Sequence, residues 1–267
     1  MGRKLVVATG ASSGIGAATA QRFGRDGAHV VLLGRNAERL DRVANDVRDA
    51  GGTATAFTAD LQDRAETLDT AARIVADIGT PDILVNNAGA GRWRPLVDTS
   101  PEEAAEMMAV PYLAAFTLTR AFAPAMIARG SGGIAFVTSA ASYLAWPNAS
   151  AYIAARRALA GFAEGVQTEL KPAGISVTIV VLGSVETPYF ENNPGSLENV
   201  PELDSRLAPI LTADEAADAL FEGVARKKRF VVKPAIYRAL FVMNALFPKT
   251  VASQIRHAAK KARKAKA

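Results

Sequence analysis

Ser139, Tyr152 and Arg156 are the residues whose types and spacing suit proton chemistry at a carbonyl or alcohol oxygen. Tyr152 and Arg156 stand four apart in a segment of helical periodicity, and positions i and i+4 share a face. A phenol titrates near ~10 in water, and a cation one turn away favours its ionised form. Tyr152 is therefore placed to exchange a proton with a substrate oxygen. Ser139, at the end of an earlier β-rich run, can hold that oxygen by a hydrogen bond while hydride passes between a nicotinamide and the carbonyl carbon.

Such a carrier needs a phosphate site, and the segment TGASSGIG, residues 9–16, supplies one. It follows the apolar run Leu5, Val6, Val7, Ala8, after which Ile15, Ala18, Ala20 and Phe23 recur at helical spacing. A strand thus becomes a helix at the glycines. Without a Cβ, Gly10, Gly14 and Gly16 allow a tight turn, close approach of a pyrophosphate, and close packing of helix on strand. The unpaired N–H groups at the helix start face the phosphate charge. After the second strand come Gly34, Arg35 and Asn36, where a dinucleotide site meets the adenosine ribose. An acidic residue there suits a free 2′-hydroxyl and an arginine suits a 2′-phosphate, so Arg35 points to NADP(H), with NAD(H) left open. Asp60, after the third strand, reads either as an acceptor for the adenine amino group or as a helix N-cap. Asn86, Asn87, Ala88 and Gly89 follow the fourth strand, and small or amide-bearing residues there let a cofactor lie against the backbone.

These residues need a scaffold, and the hydrophobic pattern specifies it. Strands are expected at 5–8, 29–33, 54–58, 83–85, 133–138, 176–181 and 230–232, with helices near 15–26, 37–49, 63–78, 101–128, 151–171 and 213–226. The alternation implies right-handed crossovers and an α/β fold with a doubly wound parallel sheet of the Rossmann type. In such a sheet ligands bind beyond the carboxyl ends of the strands, at the switch point. A single domain over 1–232 and a helical, basic extension over 233–267 are expected.

TGASSGIG, NNAG, and Ser139 with Tyr152 at this spacing make the chain resemble the short-chain dehydrogenase/reductase superfamily over about residues 4 to 232. The resemblance implies an NAD(P)(H)-dependent oxidoreductase in which these motifs build one site, and assembly into dimers or tetramers through long helices. It places Asp60 at adenine, Asn87 on the adenosine side and Thr187 at the nicotinamide amide. Ser12, Ser13, Ile15, Leu61, Ala88, Gly89, Gly183 and Val185 complete the cofactor-binding set, together with Tyr152 and Arg156. Three positions depart from the family pattern. Arg156 stands where the family has the lysine that holds the nicotinamide ribose. It keeps the charge, but a guanidinium is planar, bulkier and never deprotonated, so it cannot relay protons. Pro111 replaces a catalytic asparagine that marks a helix kink, and proline also kinks a helix and leaves a carbonyl unpaired. Leu182 with Gly183 replaces Pro-Gly after the sixth strand.

Composition narrows the remaining choices. The chain has 267 residues, 49% of them hydrophobic, no cysteine and two histidines, so disulfides, thiolate sites and histidine metal clusters are not expected. No apolar run approaches 18 residues, which suggests a soluble domain. Met1 leads at once into the first strand, leaving no room for a signal peptide, and a cytoplasmic location is expected. Trp93, Leu144, Trp146 and Phe190 follow strands, where they line an apolar pocket for a lipophilic ketone, aldehyde or alcohol, or else pack internally or at an oligomer contact. The irregular stretch 188–211 sits where the family carries a mobile lid. From Arg226 onward there are 13 Lys or Arg and no Asp or Glu, against 18 basic and 26 acidic residues before it. The apolar run 236–247 is too short to span a bilayer, and its flanks Arg226–Arg229 and Lys260–Lys266 are basic. It reads either as a helix lying on an anionic membrane surface or as one packed on its own subunit or a dimer partner. No nucleic-acid reader motif accompanies the charge. The expectation is an NADP(H)-dependent oxidoreductase for an apolar small molecule, with Tyr152 as acid and base. The alternative is a catalytically impaired NADP(H)-binding protein that acts through a membrane or protein partner.

Overall fold

Strands of a parallel sheet are buried on both faces and must read as continuous apolar runs. The five inner runs behave in this way in the computed structural model, which describes residues 3–200 and 209–266, and the two edge runs are partly exposed. β1 (Leu5–Thr9), β2 (His29–Gly34), β3 (Thr53–Thr58), β4 (Ile83–Asn86), β5 (Gly132–Ser139), β6 (Ile175–Leu182) and β7 (Phe230–Lys233) form one sheet in the order β3-β2-β1-β4-β5-β6-β7. Every pairing is parallel. The chain reverses direction across the sheet between β3 and β4, so the switch point lies where β4 takes its place beside β1.

Two helical layers cover the sheet. Alternate side chains of the strands, such as Val6, Val30 and Val137, pack with α1 (Gly14–Arg25), α2 (Ala37–Asp49) and α8 (Ala213–Ala225). The opposite set, including Val7, Phe136 and Ile179, packs with α3 (Arg64–Asp77), α5 (Ala115–Arg129) and α6 (Ser150–Leu170). The expected single helix over 101–128 is three pieces: α4 (Pro101–Met108), a π-helical turn over Ala109–Ala114, and α5. Pro111 lies in that turn and has no N–H for the α-helical ladder, which accounts for the wider winding. The whole stretch Pro101–Arg129 is long and apolar enough by composition to cross a bilayer, contrary to the expectation of no such run. Its Leu118, Phe122 and Met126 face the core instead.

Two further differences bear on the site. One helical turn, α7 (Tyr189–Asn192), forms in the stretch expected to be irregular. It is held by Asn192 and Asn193, whose side-chain amides donate to the carbonyls of Pro188 and Tyr189. Residues 201–208 of that stretch lie outside the described residues. The expected division at 232/233 falls inside β7, and the extension forms α9 (Ile236–Leu246) and α10 (Pro248–Lys266). Tyr237 and Val251 of these helices are buried in the same core as α5 and α6.

Candidate active site

β1 ends at Thr9, and Gly10 turns the chain in the left-handed region (φ 64°). A methyl group at Gly16 would lie 2.1 Å from the Gly10 carbonyl oxygen, so only glycine lets α1 begin this close to β1. Ser13 is extended at the N-cap, and its side chain caps nothing. The first N–H groups of α1 are therefore left to a ligand, and a helix start favours an anion. Thr9 ties this turn to the NNAG segment: its hydroxyl donates to the Val85 carbonyl and accepts from the N–H groups of Asn87 and Ala88 at 3.0 and 2.9 Å. The Asn87 amide donates back to the Thr9 carbonyl.

Ser139 closes β5, where its Oγ accepts from the Ala141 N–H. Tyr152 and Arg156 lie in the first two turns of α6 and are almost fully buried. Their register against β5 is fixed by a buried pair, Thr138 and Ser142. The two hydroxyls lie 2.7 Å apart, one donating to the other, and both lie within reach of the Arg156 carbonyl oxygen, which accepts the remaining proton. The guanidinium carbon stands 5.1 Å from the Tyr152 ring centroid, so the cation lies over the ring. It also abuts Gly89, where a methyl group would come within 2.5 Å of an Nη. Among the described residues no carboxylate pairs with Arg156, and its buried Nε has no hydrogen-bond partner. A buried, unpaired cation is costly unless a ligand with acceptor oxygens meets it.

These groups share one cavity of about 760 Å³ along the carboxyl ends of β1, β4, β5 and β6. Ser139, Tyr152 and Arg156 line it, and so do Gly10, Ser12, Ser13, Gly14, Ile15, Arg35, Asp60, Leu61, Asn87, Ala88, Gly89, Gly183, Val185 and Thr187. Gly16 does not, since it sits behind the turn and shapes it. Asp60 is not a helix N-cap: Asp63 caps α3, and Asp60 accepts from the Gln62 N–H. Trp93, Trp146 and Phe190 line the cavity, whereas Leu144 is core, fully buried among the residues under α6. Gly183 is glycine for a reason sequence alone conceals. The ring of Tyr237 occupies the space of a side chain there, 2.6 Å from the Cβ position, and reaches the cavity from α9.

Sequence reasoning also missed a clasp over the site. The Tyr189 hydroxyl donates to the Gly91 carbonyl. Asn193 accepts from the Gly91 N–H at 3.1 Å, and Ser196 from the Trp93 N–H at 3.2 Å. Gly91 in turn presses on the Tyr152 ring, with 2.7 Å between its Cβ position and Cδ2, and Trp93 packs 5.6 Å from that ring. Burial and the neighbouring Tyr152 phenol push the Tyr189 hydroxyl well above the usual phenol value, with Arg156 pulling the other way. Burial likewise raises Tyr237. Arg39, beside Arg35 in the cavity wall, is a further cation that spacing alone left unremarked.

Residues 4–196 match the family model described as short chain dehydrogenase. The chain belongs to that family. Among curated short-chain dehydrogenase relatives, the Drosophila melanogaster protein named "Dehydrogenase/reductase SDR family protein 7-like" is 30% identical over 86% of this chain and 72% of its own length. "Probable oxidoreductase EphD" of Mycobacterium tuberculosis is 32% identical over 96% of this chain, which spans only 45% of that longer relative. Among solved structures, a short-chain dehydrogenase from Sphingobium yanoikuyae in complex with NADPH is similar at a TM-score of 0.79. It has 29% identity and covers 94% of this chain and 95% of its own. The glycine turn, the NNAG segment and the Ser139–Tyr152 pair lie around one cavity of this chain.

Proposed function

We propose that this short-chain dehydrogenase binds NADP(H) across the switch point and interconverts a carbonyl and an alcohol on an apolar small molecule. The observation that carries the reading is the convergence of Ser139, Tyr152 and Arg156 on the cavity walled by the glycine turn. The cradle fits a dinucleotide on three counts: a turn with no room for a side chain at Gly16, an uncapped helix start, and the orphaned Nε of Arg156. Arg35 and Arg39 are cations at the rim, where a 2′-phosphate is recognised. When bound, the nicotinamide supplies or accepts the hydride. Ser139 holds the substrate oxygen, and Tyr152 gives that oxygen a proton in reduction and takes it back in oxidation. Arg156 presents acceptor-seeking N–H groups to the ribose and stacks on the Tyr152 ring, which keeps the phenol in place. Trp93, Trp146 and Phe190 supply an apolar wall for the substrate, and the clasp through Tyr189, Asn193 and Ser196 excludes water from it.

The test is NADPH consumption by the purified chain over a panel of lipophilic ketones and aldehydes. Turnover that is abolished in Tyr152→Phe, with NADPH binding intact, supports the reading. Absence of turnover in the parent together with its appearance in Arg156→Lys refutes it in favour of a cofactor-binding protein without natural catalysis. Exposed Leu113 and Phe116, beside Phe162 of α6, form the apolar face that we assign to a second copy of the chain. Loss of the oligomer in Phe116→Glu, read by light scattering, checks that assignment.

A further inference from the structure

α9 is apolar on two opposite sides. Its inner side carries Tyr237, Leu240 and Phe241 onto the core. Its outer side and the elbow leading into α10 present Ile236, Val242, Met243, Leu246 and Phe247, which are between 38% and 66% exposed. These five form one group within twelve residues, and a two-sided apolar helix at the surface calls for a second apolar medium. Along their own segment the charge has a single sign. Exposed Lys233, Arg238, Lys249 and Arg256 border the group, and no Asp or Glu occurs anywhere from residue 226 to the end.

That charge pattern selects the occupant. A two-fold contact between copies of this chain would bring the cations of two such segments together with no acid of their own to meet them, which opposes association. A bilayer with anionic headgroups accepts the apolar residues at the acyl boundary and the cations among its phosphates. We propose that the α9–α10 elbow is a docking surface for an anionic lipid membrane. Val242, Met243, Leu246 and Phe247 enter the interface, and the flanking lysines and arginines pair with lipid phosphate. The proposal stands apart from the redox reading, because none of the residues it places at the lipid lines the cavity.

The test is co-sedimentation of the full chain with vesicles of phosphatidylcholine alone and of phosphatidylcholine mixed with phosphatidylglycerol. Partition onto the anionic vesicles only, reversed by high salt, is expected. The double substitution Leu246→Glu with Phe247→Glu is expected to lower that partition by more than about a hundredfold, since two buried apolar anchors are lost and two like charges gained. NADPH binding serves as the folding control for this variant. Absence of the parent from anionic vesicles, or equal partition onto neutral ones, overturns the proposal without recourse to any variant. Conversion of a dimer to a monomer by the same double substitution, with no vesicle binding by the parent, assigns the elbow to a second copy and overturns it too.

Discussion

Replacing Gly89 by alanine tests whether the place of the Arg156 guanidinium matters to turnover. The new methyl group would lie 2.5 and 2.9 Å from the two Nη atoms and 3.1 Å from Cζ, whereas ordinary contact begins at 3.4 Å. The guanidinium must therefore retreat by about 0.9 Å, a distance set by packing at van der Waals contact. It has little freedom, being buried between Gly89 and the Tyr152 ring. A misplacement of about 1 Å in a positioned group costs up to about a hundredfold in rate, or about 2.7 kcal/mol of transition-state stabilisation. Gly89 lies outside the left-handed region, so no backbone strain is added, and the thermal midpoint is expected to fall only by the cost of overpacking, about 1–3 kcal/mol. The assay is kcat/KM for a lipophilic ketone together with a fluorescence titration of NADPH. Lysine ends in a compact ammonium without a planar fork, so Arg156→Lys in the Gly89→Ala background is expected to recover most of the loss. A kcat/KM for Gly89→Ala within twofold of the parent would refute the role given to the guanidinium.

Three further outcomes follow from the same geometry. Arg35→Ala with Arg39→Ala removes both cations at the rim and is expected to weaken NADPH by about ten- to a hundredfold, with NADH unchanged, as competitive titrations will show. Asn193→Ala leaves the buried Gly91 N–H without its acceptor, at about 1–3 kcal/mol; KM for the ketone is expected to rise and kcat to fall while NADPH affinity holds. His29 is held below its ordinary value by partial burial and by Arg3, so the unfolded chain takes up a proton at a higher pH than the folded one. Stability is therefore expected to fall as pH drops through 6.5 toward the folded value, and His29→Gln should flatten that limb of the denaturation-midpoint profile.

Much of this molecule is legible from local pattern because a parallel sheet announces itself in continuous apolar runs. The strands end a residue beyond the expected position at Thr9, Asn86, Ser139 and Leu182, and Ser139 and Leu182 themselves line the cavity. The glycine turn is equally legible, since Gly16 answers to a steric demand set by the Gly10 carbonyl a short way back along the chain. What sequence hides is contact across long separation. Gly91 and Asn193 meet over 102 positions, and no local period marks either one. Tyr237 appears in the chain as one more apolar residue of the extension, and only the missing side chain at Gly183 hints that a ring fills that space. Leu144 and Trp146 look alike in sequence, both apolar and both beyond β5. The first turns under α6 and the second toward the cavity, a choice made by tertiary packing. Asp63 rather than Asp60 caps α3 because its carboxylate meets two free N–H groups of the first turn.

The clasp at Gly91 carries one more consequence. Tyr189, Asn193 and Ser196 grip a strip of backbone whose other side rests on the Tyr152 ring. Under the proposed function, admission of a ketone and placement of the phenol are coupled through that strip. Selectivity in such a protein is adjustable from residues that never touch the reacting atoms.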